Sequence, residues 1–129
     1  MDREYFKGSW QENRSFSPAV VTTGGKQIWL AGVGMWQDED GNSLDGNFEE
    51  QVHATFRQIE KNLATAGGKL SDIVTMTVFI KDVRNGDKLT ELRKEYFQEG
   101  YPGSALITVS AFARPEMMVE IQAVAVVHD

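Results

Sequence analysis

The chain holds few groups able to do chemistry. It has no cysteine and two histidines, His53 and His128, which excludes thiol nucleophiles, disulfides and cysteine-ligated metals. A Ser-His arrangement would have to rest on a mid-helix residue or on the penultimate one. What remains is a carboxylate. Glu120 stands in an otherwise apolar or neutral run from Met117 to Val127. Strand alternation places it with Met118, Gln122, Val124 and Val126, opposite Met117, Val119, Ile121, Ala123 and Ala125. A charge in such a strand must be ion-paired, hydrated or turned toward a cavity, because an unpaired buried charge is very costly. Turned toward a cavity, Glu120 could act as a general acid or base on a water molecule. Ion-paired, or on an edge strand, it would be structural.

The elements that must position this glutamate follow from the pattern. Ala105 to Phe112 and Met117 to Val127 flank the polar break Ala113-Arg114-Pro115-Glu116 and predict a terminal β-hairpin. Pro18 to Thr23 and Gln27 to Gly34 predict another, turned at Gly24-Gly25. The second of these strands ends in Ala31-Gly32-Val33-Gly34, where glycine marks a bulge or lets something approach the backbone, the bulge being favoured. Asn47 is a good N-cap with Glu50 three residues on. Phe48, Val52, Phe56, Ile59 and Leu63 recur at helical spacing, and Gly67-Gly68 closes the helix. His53 lies at the edge of that face with no partner at metal-ligand spacing, so a structural role is expected. Ser71 to Val83 reads as a strand apolar on both faces, both therefore to be covered. A second helix, Asp87 to Gln98, turns Leu89, Leu92 and Tyr96 inward.

The predicted order is β-β-α-β-α-β-β, an α+β two-layer sandwich with two helices on one face of a mixed sheet. Its 129 residues suit one domain, with residues 1–17, including Tyr5, Phe6 and Trp10, as an arm or edge segment. The acidic stretch QDEDGNSLDG, Gln37 to Gly46, lacks EF-hand spacing and reads as a solvated turn. A formal charge of −6 with scattered Lys and Arg argues against nucleic acid as a partner. No apolar run reaches bilayer length and the start is not a secretory signal. A cytoplasmic protein acting on a small molecule, with no metal and no cofactor, is the expectation.

The segment Gly67 to Lys81, GGKLSDIVTMTVFIK, and the terminal VEIQAVAV resemble the reactive-intermediate deaminase family, RidA, also called YjgF, over about Pro18 to Val127. The resemblance implies a chorismate-mutase-like fold, a homotrimer with small-molecule pockets between subunits, and hydrolysis of enamines and imines to a carbonyl compound and ammonia. Carried over by position, the family's strand-end glycine falls on Gly32 and its water-holding glutamate on Glu120. The substrate-carboxylate arginine falls on Ser104 and is therefore missing. The family's first-strand tyrosine falls on Ala19 and its second-helix asparagine on Thr90.

Serine cannot reproduce the paired charge-assisted bonds of an arginine. The expectation is an altered substrate, a larger and less anionic imine, enamine or amide-like compound, held by the backbone from Ser104 through Ala105 to Leu106. Arg114, in a last hairpin about one residue longer than the family's, is a candidate displaced anion contact or an exposed loop residue. A non-catalytic binding or regulatory trimer is the alternative. A ribonuclease or translation inhibitor, labels some family members carry, is disfavoured by the acidic composition.

Overall fold

The computed structural model describes residues 2–8, 13–98 and 100–128; Trp10 of the expected arm lies outside them. Helix α1, Phe48–Thr65, is bounded by the signals the sequence carries. The Asn47 side chain accepts from the Glu50 N–H at 3.1 Å. Gly67 adopts φ +85°, and the N–H groups of Gly67 and Gly68 reach the carbonyls of Ala64 and Leu63 at 3.1 and 2.8 Å, a Schellman closure. Phe48, Val52, Phe56, Ile59 and Leu63 form its buried stripe, each such side chain contributing about 1.5–3 kcal/mol of apolar burial.

The strands are β1 (Asp2–Tyr5), β2 (Val20–Thr23), β3 (Lys26–Trp29), β4 (Ile73–Ile80), β5 (Gly103–Thr108) and β6 (Val119–Val127). The main sheet runs β3-β6-β4-β5, and β1 pairs with β2 in a separate sheet. Two expectations are corrected here. The terminal segments do not form a hairpin, because β4 lies between them, antiparallel to β6 and parallel to β5. The most apolar strand thereby takes a central position, and the connection from Val109 to Met118 is long enough to cross it. Gly24 and Gly25 do make a positive-φ turn, at +74° and +87°. The strands on either side of it part, however: β2 joins β1, and β3 joins the long β6. Within the stretch expected as an arm or edge segment, Asp2–Tyr5 form β1.

Helix α2, Gly86–Arg93, is shorter than expected and passes into a 3-10 turn, Lys94–Tyr96. Leu89 and Leu92 are buried, and Tyr96 stacks on Phe56 with ring centroids 4.2 Å apart. His53 Nδ1 bonds the Tyr96 hydroxyl, a packing role. Both helices cover the face made by Met76, Val78, Ile80, Ile121, Ala123 and Ala125, which are almost fully buried. The opposite face stays open in the single chain: Thr75 and Gln122 are exposed, and Trp29 is 73% exposed. In the acidic turn, the Asp38 carboxylate accepts from the N–H groups of Asp40 and Asn42 and from the Asn42 amide. The bonds from Asn42 hold it below the usual carboxylate range.

Candidate active site

Beyond Trp29 the β3 chain stays beside β6, but with a change of register. Trp29 pairs with Val124, and the next bridge joins Val33 to Ile121, so four steps on one strand face three on the other. The extra residue is a β-bulge, which bends the strand and re-aims its neighbours. Gly32 lies within it. A Cβ there would stand 2.8 Å from Glu120 Oε2; the missing side chain leaves the seat in which the carboxylate lies. Bulge and close approach, alternatives in the sequence, are both present. Two residues on, Gly34 packs against the Glu120 strand so closely that a Cβ would sit 2.5 Å from the Val119 carbonyl.

The Glu120 side chain borders a cavity of about 340 Å³ whose other walls are Phe79, Val109, Ala111, Phe112 and Ala113. All five are apolar. Phe79 is its direct partner across β4, and the rest come from the connection that crosses the sheet. Among the described residues no hydrogen bond or ion pair engages the carboxylate. An acceptor left open at the edge of an apolar cavity can orient a water and take its proton.

The other candidates lie elsewhere. Ser104 pairs with Met76 and Glu120 with Phe79, an odd offset along β4, so their side chains occupy opposite faces of one chain's sheet. Ser104 Oγ instead accepts from Arg93 Nη1 at 2.7 Å. Arg93 is 3% exposed. Its Nε donates to Ser15 Oγ at 3.0 Å, its Nη2 to the Arg14 carbonyl at 3.2 Å, and Nη1 also meets Met76 Sδ at 3.8 Å. Each of these acceptors is neutral. Burial, with a contribution from the nearby Arg14 charge, pushes the guanidinium down to about 10. A cation does stand at position 104, then, supplied from α2 and facing the core.

Thr90 is buried beside this cluster. Its hydroxyl donates to the Gly86 carbonyl at 3.0 Å and its carbonyl accepts from Ser15 Oγ at 2.7 Å. Ala105 is exposed and pairs with Thr77, on the face that carries Glu120. The Ala19 carbonyl accepts from the Phe6 N–H at 2.9 Å. Arg114 adjoins the cavity wall at Ala113; it stacks 4.5 Å over the Trp36 ring and bonds Glu116 at 3.1 Å. A bond from the Glu116 backbone, followed by the one from Arg114, lowers the Glu116 carboxyl below its usual range.

Sequence reasoning did not single out Arg93 or the cavity walls. Arg93 lies four residues after Leu89, on the inward spacing of α2, which is the signal that could have found it. The sequence pattern places Phe112 and Val109 in a strand, and nothing local marks them as a wall. Among the described residues no group of three or more His, Asp or Glu side chains comes together to hold a metal ion.

The family model for endoribonuclease L-PSP matches residues 9–127. The chain belongs to the RidA/YjgF family. Among its relatives, a RutC family protein of Pyrococcus abyssi is 32% identical over 101 residues, 78% of this chain and 79% of that one. The 2-iminobutanoate/2-iminopropanoate deaminase of Homo sapiens is 27% identical over 112 residues, 86% of this chain and 79% of that one. In structure, the Rid-family protein YyfB of Yersinia pestis, of unknown function, superimposes with a TM-score of 0.85 at 21% identity, covering 98% of this chain and all of that one. The RidA/YjgF assignment agrees with the α+β architecture, in which two helices cover one face of the mixed sheet.

Proposed function

We propose that this protein hydrolyses an enamine or imine to a carbonyl compound and ammonia, with Glu120 as the group that activates water. The observation that carries the reading is the Glu120 carboxylate, seated on Gly32 without a partner among the described residues and facing an apolar cavity of about 340 Å³. Water held by Glu120 adds to the C=N carbon and gives its proton to the carboxylate. The carboxyl group passes that proton to the nitrogen to give the carbinolamine, then takes the hydroxyl proton and delivers it to the same nitrogen as the C–N bond breaks, releasing ammonia and leaving the carbonyl compound. Deaminase relatives support the chemistry. The substrate differs from an amino-acid imine, because Ser104 replaces a carboxylate-binding arginine and the cavity walls carry no cation.

The working unit in this reading is a homotrimer with substrate bound between subunits. The open sheet face supports it, with Trp29 and Ile107 73% and 43% exposed in the single chain. Competing an imine that bears a carboxylate, such as 2-iminopropanoate, against a neutral aromatic aldimine tests the substrate class, with light scattering of the same sample giving the assembly. Faster turnover of the neutral imine by a trimer is expected. Preference for the carboxylate-bearing imine would reject the altered specificity, and turnover of neither would favour a binding protein.

A further inference from the structure

We infer that Gln51, with Thr55 one turn further along α1, is a positioning residue that sets where the Glu120 carboxylate lies; the inference rests on the hydrolytic reading above. Both side chains are completely buried on the stripe that faces the sheet. Gln51 Nε2 donates to the carbonyls of Leu44 and Glu116 at 3.0 and 2.8 Å, and its Oε1 accepts from the Met118 N–H at 2.8 Å. One orientation of the amide satisfies all of these; the flipped one would set an oxygen against two carbonyls. Glu116 and Met118 are the approach to β6, and Met118 is two residues from Glu120.

Thr55 Oγ1 accepts from the Met35 N–H at 3.2 Å. Met35 follows Gly34 on the bulged segment that carries Gly32. The same helix face therefore grips both segments whose crossing forms the carboxylate's seat. At that crossing Val33 and Ile121 exchange N–H···O bonds of 2.8 Å in each direction. A shift of Glu116–Met118 against α1 moves Glu120, and a shift of Met35 moves Gly32 beneath it. An apolar side chain would serve the core at position 51 as well; the amide is needed where the backbone must be held in one place.

The test compares Gln51→Met and Thr55→Val with Thr55→Ser, and with Leu89→Ala as a core variant destabilised on α2. Turnover of an imine generated in situ, thermal midpoints and crystal structures are measured for each. For Gln51→Met we expect kcat to fall roughly tenfold or more with KM within about threefold, as displacement of a reacting group by a fraction of an ångström would give. Thr55→Val should lose less, Thr55→Ser should match the wild type, and Leu89→Ala should melt early at unchanged kcat. Wild-type kcat in Gln51→Met, or an equal loss in Leu89→Ala, overturns the inference. If Gln51→Met does not fold, Thr55→Val against Thr55→Ser decides it.

Should the wild type turn over no imine, the hydrolytic reading fails on its own. The crystal structures then decide the positioning: a carboxylate moved off Gly32 in Gln51→Met but not in Leu89→Ala sustains it, and one unmoved in both rejects it.

Discussion

Two charged side chains, Glu120 on β6 and Arg93 on α2, meet the main sheet in opposite circumstances. Glu120 faces a cavity with no hydrogen bond or ion pair among the described residues, whereas Arg93 is buried with its donors engaged by Ser15, Ser104, Met76 and the Arg14 carbonyl. Neither has an oppositely charged partner there. The glutamate keeps free lone pairs and room beside it, so it can meet a substrate. The arginine is fastened to neutral acceptors and ties the segment at Arg14 and Ser15, where Ser15 adopts φ +61°, to α2 and β5. Absence of a counter-ion marks a reactive group only where the hydrogen-bonding capacity is also unused.

Gly32→Val breaks the contrast from the glutamate side. The new side chain occupies the carboxylate's seat, and kcat for imine hydrolysis should fall about a hundredfold, the scale of a misplacement near one ångström. The fold should persist, checked by circular dichroism. Unchanged kcat would mean that the seat is irrelevant. From the arginine side, Ser104→Arg sets a second guanidinium against Arg93 and should cost about 2 kcal/mol by crowding and like charge. Adding Arg93→Ser should recover most of it, which a denaturant double-mutant cycle reads as coupling. Additive losses would show that the two positions do not share the space. Smallest is Arg114→Ala, which removes an exposed stack on Trp36. It should cost about 0.5 kcal/mol and leave kcat within about twofold, since a change of that size is small on the scale of a transition-state contact. A large loss of kcat would make Arg114 a substrate contact after all.

Local signals made much of the fold legible. The ends of α1 were written in Asn47, Glu50 and Gly67, and the buried faces of β4 and β6 in their alternation. Strand order was not legible. Pairing of β6 with both β3 and β4 joins residues far apart in sequence, and a polar break such as Ala113 to Glu116 reads the same in a hairpin as in a crossover. At the site, Glu120 and Gly32 could be named, one as a charge out of place and the other as a glycine in a strand. Arg93 could not, because an arginine on a short helix reads as solvated unless the spacing from Leu89 is given priority. Phe112 and Val109 become a wall only through the crossover's path over β4.

The central claim is that the free carboxylate of Glu120 does the chemistry. Its most direct test is the decay rate of the best-accepted imine, generated in situ, with the wild type and with Glu120→Gln at equal concentration and assembly state. The amide keeps the size but cannot take a proton from water. The account predicts catalysed decay by the wild type and a loss of about a hundredfold or more in the variant. Equal acceleration by both proteins would contradict it.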